Sequence, residues 1–211
     1  MRRGKLVYGV EGMPMKLSPR TIVGWAVVAL LVGAVTTGCG PGESRGTLPS
    51  GVVTSPPAPP YPPVGDYTNL LIKAADVGPD FTASDPVQNP NGAPGVQQMF
   101  STADNSRRIG VVILLVNEPK TAAEGLKNTQ NNYGSKVTGT WQPVDNIGTG
   151  AAMISGPAPD NSQAVTVLLF TEGKALVSIE FDSPPDAPTD PEFAKDIGRK
   201  QDAVIKANLP N

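Results

Sequence analysis

The chain has 211 residues, of which 17% are charged and 39% are hydrophobic, with 23 glycines, 23 prolines and no histidine. Without histidine it lacks the commonest general base at neutral pH and the commonest metal ligand, which excludes the sites built on that side chain. The formal net charge is −2, and the chain lacks the basic stripe that binds nucleic acid. We therefore predict no nucleic-acid partner. We also predict no metal and no cofactor.

Residues 1–38 have the three-part layout of an export signal. Five basic residues precede an apolar run at 22–35, and small residues separate that run from the single cysteine. The run suits a signal core but is shorter than the roughly 20 residues that span a bilayer. Because the segment before the run is long for a signal peptide, the true start is left open between Met1, Met13 and Met15.

The single cysteine, Cys39, ends the segment VTTGC. This segment resembles a bacterial lipobox, which has small or apolar residues before the cysteine and often glycine directly in front of it. The resemblance implies cleavage between Gly38 and Cys39 and attachment of diacylglycerol to the Cys39 thiol. The alternatives are an ordinary secreted protein, or a single membrane anchor with an incidental cysteine. We favour lipidation from the position and flanks of Cys39, and two or more acyl chains would hold the protein firmly at the extracytoplasmic face of the cell membrane.

Residues 40–65, GPGESRGTLPSGVVTSPPAPPYPPVG, predict an extended tether rather than a folded unit. They contain few apolar anchors, and their prolines favour polyproline II, which extends by about 3.1 Å per residue. The chain therefore divides into a signal peptide at 1–38, a lipidated cysteine with its tether at 39–65, and a single domain at 66–211. Without the signal peptide, 12 basic and 18 acidic residues remain, a net charge of about −6.

The domain begins with a predicted helix in DYTNLLIKAADVG, residues 66–78. Leu70, Leu71 and Ala74 fall on its inward side, and the final glycine suits the cap that ends many helices. The next segment, 78–95, contains four prolines. These prolines predict a long loop.

Two antiparallel strands are predicted next, at 96–104 and 107–117, joined near Asn105. In the second strand, RRIGVVILLVN, apolar residues occupy both alternating sets of positions. Strands that are covered on both faces show this continuous apolar pattern. We therefore predict that the second strand is central in the sheet and covered on both sides.

A second helix is predicted over 118–135, with a capping box formed by Thr121 and Glu124. The residues expected on its buried stripe are Ala123, Leu126 and Tyr133. Tyr133 and Trp141 could line a pocket, but single aromatic residues near apolar strands usually belong to the core.

Four further strands are predicted at 136–144, 151–155, 163–171 and 174–182. Glu172 and Gly173 are predicted to form the tight turn between the last two strands. Pairing across that turn would place Phe170 beside Ala175. These are core assignments and indicate no site.

The clearest predicted helix closes the chain. Asp190 can cap it, Pro191 suits its first position, and Pro210 stops it. Its buried stripe comprises Phe193, Ile197, Val204, Ile205 and Leu209. Together these elements predict an α+β fold, an antiparallel sheet of about five or six strands with two or three helices packed against it.

Several segments resemble the small cell-envelope lipoproteins of mycobacteria and related actinobacteria: the lipobox, the proline-rich tether, NLLIKAADVG, TWQPVDNIGTGA, VLLFTEGKALVSIEF and KQDAVIKANLP. The predicted layout of residues 66–210 is similar to Mog1/PsbP-like lipoproteins and to the extracellular sensor domains of mycobacterial receptor kinases. The resemblance implies an exported, non-catalytic protein that binds or scaffolds. It carries over no ligand residues.

The sequence contains no nucleophile elbow, no P-loop and no paired metal motif. Glu180 and Asp182 share one face of a predicted strand, but two acids on a solvated face explain them more simply than a catalytic pair. Arg107 and Arg108 could hold an anionic headgroup, and edge or loop charges are the simpler interpretation. The IGTG segment at 147–150 precedes a strand, so we interpret it as a turn rather than a phosphate loop.

Two functions from different classes fit these observations. The first, which we favour, is a lipid-anchored binding module that takes an envelope lipid or glycolipid, a peptide or a protein in a groove between helix and sheet. The second is a structural or accessory lipoprotein that acts through a protein surface. An enzyme ranks third, and no catalytic or ligand-binding residue is assigned. A sizeable apolar cavity would favour a small ligand, whereas a packed domain would leave protein contacts.

Overall fold

A computed structural model describes residues 61–209 of the chain. The predicted signal peptide, the predicted cleavage and lipidation site at Gly38 and Cys39, and the first part of the tether lie outside these residues. The described chain has the predicted α+β class. Its helices are α1 (Ala74–Val77), α2 (Pro119–Asn132) and α3 (Pro191–Asn208), and its strands are β1 (Phe81–Ala83), β2 (Val87–Gln88), β3 (Gly95–Thr102), β4 (Arg108–Leu115), β5 (Gln142–Pro143), β6 (Thr149–Pro157), β7 (Ala164–Glu172) and β8 (Ala175–Ser183).

All strand pairs in the sheet are antiparallel, in the order β1, β3, β4, β8, β7, β6, β5, and β2 also pairs with β3. The strand number exceeds the predicted five or six because the predicted loop at 78–95 contributes β1 and β2. Pro86 lies between these two short strands, and a proline has no N–H group to donate to a strand ladder. The strand predicted at 136–144 shortens to β5.

The turn between β7 and β8 lies one residue later than predicted. Its two central residues are Gly173 and Lys174, and Phe170 pairs with Val177. The predicted pairing of Phe170 with Ala175 was therefore wrong. Gly173 has a φ of 53°, and a type II′ turn places glycine at the first of its two central positions.

The predicted helix at 66–78 divides into a 3₁₀ turn at Thr68–Leu70 and the short α1. Gln201 of α3 binds the extended backbone between them. Its fully buried side chain accepts a hydrogen bond from the Ile72 N–H at 3.2 Å and donates one to the Leu70 oxygen at 2.6 Å. The Gln201 amide thus satisfies backbone groups that a continuous helix would have paired internally.

The other two helix starts differ in how well they were predicted. Helix α2 begins at Pro119, whose fixed φ suits the first helical position, so the predicted capping box with Thr121 was wrong. The buried stripe of α2 contains Ala122, whereas Ala123 was predicted there. Helix α3 begins as predicted, and the Asp190 carboxylate accepts a hydrogen bond from the Glu192 N–H at 2.9 Å.

The sheet presents two faces, because side chains alternate along each strand. On the first face, α3 and the segment at 67–77 cover the main core, which includes Phe100 and Phe170. On the second face, α2 and the segment that follows it pack over β6, β7 and β8. Tyr133 lies in this second core, as predicted, and the partly buried Trp141 packs against it, with the rings edge to face and the centroids 6.2 Å apart.

Replacing Gln201 with leucine is expected to lower the free energy of unfolding by about 2–4 kcal/mol, because the Leu70 carbonyl and the Ile72 N–H would stay buried without partners. Urea unfolding followed by circular dichroism measures this change. Arg199→Leu places the same side chain on the exposed surface of α3, and we expect it to change the free energy of unfolding by less than about 0.5 kcal/mol. An equal loss in both variants would contradict the assigned role of Gln201.

Candidate functional site

Among residues 61–209, no helix covers one half of the second sheet face. Helix α2 packs against β7 and β8, and side chains of β2, β3 and β4 on the same face stay partly exposed. We call this surface the open half-face and define it by Val87, Gln97, Met99, Gly110 and Val112. Val87 is 49% exposed, and Met99 and Val112 are half-buried. The predicted central position of β4 was confirmed, but the prediction that both its faces are covered was wrong.

A groove of about 190 Å³ crosses the open half-face. Gly110, which is itself buried, lines this groove and pairs with Met99 on β3 and with Glu180 on β8. On each face, residues that pair across neighbouring strands form a row. Arg108 and Val112 lie on the same face of β4 as Gly110, two residues before and after it, and belong to the two neighbouring rows. Because glycine has no side chain, the row that contains Gly110 is lower at its centre than these neighbouring rows. The missing side chain therefore contributes to the depression.

A polar network borders the open half-face along the pairing of β4 with β8. Asp182 accepts hydrogen bonds from Arg108 at 2.9 Å and from Gln163 at 3.1 Å. Its neighbour Glu180 forms an ion pair with Lys136 at 3.3 Å. We define the polar network by these five residues. The side chains of Asp182 and Glu180 are only 7% and 13% exposed, so their interpretation as solvated acids was wrong, as was that of Arg108 as an edge or loop charge.

The polar network contains two acids and two bases, and each acid is paired with one base. The pKa of Asp182 is raised to about 6, chiefly by burial and then by the charge of Glu180, whereas the nearby Arg108 lowers it. Burial and the charge of Glu180 also raise the pKa of Tyr133 above its ordinary value. Tyr133 thus remains a neutral phenol, and its hydroxyl shares a hydrogen bond of 2.7 Å with Ser178.

A second groove, of about 170 Å³, lies between the start of α2, the turn after β7 and the end of α3. Lys206 contacts Asp202 there at 2.6 Å and Glu172 at 3.6 Å, and burial is the main cause that raises the pKa of Glu172. Both grooves are smaller than the roughly 300–1,000 Å³ of typical small-molecule sites. Neither described groove is therefore the sizeable cavity that would favour a small ligand.

The other sequence candidates lie away from the open half-face. Arg107 donates a hydrogen bond to the Ala187 oxygen at 3.0 Å. The segment 147–150 forms a turn into β6, as predicted, with Gly148 and Gly150 at positive φ. Within the described part of the chain, no group of three or more acidic, histidine or cysteine side chains is placed to hold a metal. None of the described helices has the length and apolarity needed to cross a membrane.

Sequence reasoning missed the residues that form the open half-face. It assigned every apolar residue of β4 to a covered face, which hid the exposure of Val112. Met99 and Gln97 were assigned to a strand without any further role. One signal was available: Gly110 interrupts a run of β-branched and aliphatic residues, and glycine inside a strand often marks a place where a ligand or another chain approaches closely.

No family model matches the chain, and no curated protein matches it. A similar solved structure is the extracellular domain of PknH from Mycobacterium tuberculosis, with a TM-score of 0.45 and 9% sequence identity. The similarity covers 65% of this chain and 93% of that domain. At this level it assigns neither a family nor a function.

We expect the Asp182→Asn variant to change how stability depends on pH. The pKa of Asp182 is about 6 in the folded protein, against an ordinary value of 3.8, so its protonation stabilises the fold below about pH 4 and this contribution is lost as the pH rises towards 6. Relative to Asp182→Asn, the wild type should lose up to about 3 kcal/mol of unfolding free energy over that range, measured by urea titration. Asp186→Asn removes one charge from an exposed loop and corrects for the change in net charge. A difference that stays constant with pH would refute the assignment.

Proposed function

We propose that the protein is a non-catalytic cell-envelope lipoprotein, anchored in the membrane through Cys39, whose domain binds a protein partner on the open half-face. The observation that carries this proposal is the partly exposed apolar surface of β3 and β4 in the interior of the sheet. Antiparallel sheets that face water normally place polar residues on the solvated side. Here Met99 and Val112 occupy that side, which favours a partner that covers them.

The size of the groove favours a polypeptide over a lipid or glycolipid. At about 190 Å³, it accommodates a side chain of a partner rather than a whole small molecule. No charged side chain lines it, and the nearby bases Arg108 and Lys136 already bind acids of the same chain. An anionic headgroup would therefore find no free cation in this groove.

We assign no reaction to the polar network. Glu180 is held by Lys136, and Asp182 is held by both Arg108 and Gln163. The Arg108–Asp182 pair joins β4 to β8, and the Lys136–Glu180 pair joins the segment after α2 to β8. Their perturbed environment has a structural explanation and needs no substrate.

The tether determines where the proposed partner would be found. Residues 39–60 would reach roughly 70 Å at the extension of polyproline II, about 3.1 Å per residue. The chain then joins the fold beside β2, where the Asn89 side chain accepts a hydrogen bond from the Gly65 N–H at 3.3 Å and donates one to the Gly65 oxygen at 3.1 Å. Val87 of the open half-face lies two residues before Asn89 in the chain. The proposed partner would thus be a membrane-associated protein within reach of the anchor.

Replacing Cys39 with serine is expected to move the protein from the membrane fraction to the soluble fraction, because serine has no thiol to which diacylglycerol can be attached. Intact-protein mass spectrometry of the wild type should give a chain that begins at Cys39 and carries the mass of at least two acyl chains. Val52→Ala, in the predicted tether, serves as the control, since it leaves Cys39 and every candidate start residue unchanged. A wild-type protein without added lipid would contradict the proposed anchor.

A photo-crosslinker at Val112, introduced as Val112→benzoylphenylalanine, is expected to join the protein to a membrane-associated partner in the intact envelope. The same crosslinker at Ala203, on the exposed side of α3, is the matched control. Adding Gly110→Val should abolish the product at position 112, because the new side chain fills the groove. Identical products from positions 112 and 203 would contradict the proposed binding surface.

A further inference from the structure

We infer that the open half-face binds an extended, uncharged segment of the partner and seats one aliphatic side chain over Gly110. This inference rests on the proposed function and specifies the chemistry of what is bound. It is carried by three features of the groove: the missing side chain at Gly110, a Gln97 carboxamide that makes no hydrogen bond within residues 61–209, and an electrostatically neutral border.

The depression at Gly110 fits an aliphatic side chain. Met99 lies opposite Gly110 on β3, and Val112 and Val87 flank the depression on the same face. These neighbours present thioether and methyl groups, and the groove contains no aromatic residue. A branched aliphatic side chain could therefore replace the missing side chain of Gly110 and remove surrounding apolar surface from water.

The Gln97 carboxamide offers a pair of hydrogen-bonding groups to a backbone. Its side chain lines the groove, is half-exposed and makes no hydrogen bond to any described residue. A glutamine amide carries both donors and an acceptor, which match the C=O and N–H of an extended chain. The protein already uses this chemistry nearby, because Asn89 holds both backbone groups of Gly65.

The border of the groove favours a segment without charge. Arg108 and Lys136 are already paired with Asp182 and Glu180. A basic segment would have to compete for these acids, and an acidic segment would find no free base. An uncharged segment leaves both ion pairs intact and therefore matches the neutral border of the groove.

The segment is expected to lie across the sheet face rather than to extend the sheet. The β2 side of the sheet ends in two short strands separated by Pro86, and such broken edges oppose the addition of another strand. Main-chain pairing of the β-augmentation type therefore does not explain binding here. The Gln97 amide and the depression at Gly110 supply the contacts instead.

Nuclear magnetic resonance of the methyl groups in the purified full chain tests this inference. The probe is a capped seven-residue peptide of threonine with one central residue, which is leucine, alanine, lysine or aspartate. The leucine peptide should shift the Met99 and Val112 methyl signals in a saturable way, and the other three should bind at least tenfold more weakly. Equal binding of the leucine and lysine peptides would overturn the inference.

Two glycine variants provide the matched comparison. Gly110→Val should weaken binding of the leucine peptide at least tenfold, whereas Gly134→Val adds the same atoms where a new Cβ meets nothing within 4 Å and should leave binding unchanged. Thermal unfolding checks that both variants fold. Should Gly110→Val fail to fold, Gln97→Ala replaces it and should weaken binding at least threefold.

Other molecules that could occupy the open half-face would give different results in this experiment. Vesicles of phosphatidylglycerol that shift the same methyl signals more strongly than the peptide would overturn the inference in favour of a lipid surface. Shifts that grow with protein concentration alone would overturn it in favour of a second copy of the chain. A specific crosslink at position 112 without peptide binding would leave the proposed function standing and reject only the uncharged segment. Failure of both experiments would reject both proposals.

Discussion

The antiparallel pairing of β4 with β8 is the constraint on which the rest of the structure depends. Its register runs from Arg108 opposite Asp182 to Leu115 opposite Ala175. Because successive side chains point to opposite faces, this register places Ile109, Val111 and the alternate residues after them in the main core, and their neighbours on the second face. A slip of one residue would expose the main core. Register therefore fixes both the core and the composition of the open half-face.

The same pairing explains why acids lie inside the second face. Helix α2 reaches β8 and stops short of β4, so the boundary between covered and open sheet runs along this strand pair. At this boundary, apolar side chains would stay partly exposed to water, whereas unpaired charges would lose part of their hydration. The ion pairs that Asp182 and Glu180 form with Arg108 and Lys136 satisfy both conditions, since each charge keeps a partner where water is scarce. The pKa of Asp182 is raised because burial and the charge of Glu180 together outweigh the lowering effect of Arg108.

The sequence predicts those parts of the fold that local chemistry decides. Helix α3 is an example, because Asp190 and Pro191 define its start without help from the rest of the chain. The division of the first predicted helix depends on Gln201, about 130 residues away, and no local pattern reveals it. The open half-face is hidden for a related reason. A strand with apolar residues on both faces looks the same whether its second cover is a helix of the same chain or another protein, so the sequence shows that Val112 needs a cover and not which molecule supplies it.

The small size of the groove and the long tether are consistent with one another. A depression that takes a single side chain offers little apolar area, and such a contact alone gives weak binding. An anchor confines the domain to the volume that its tether can sweep, which raises the effective concentration of any partner in the same membrane. Under the proposed function, the high effective concentration that the tether provides thus compensates for the low affinity of the open half-face. A weak contact also dissociates quickly, so under the proposed function the domain would release and rebind its partner rapidly while the anchor keeps the two within reach.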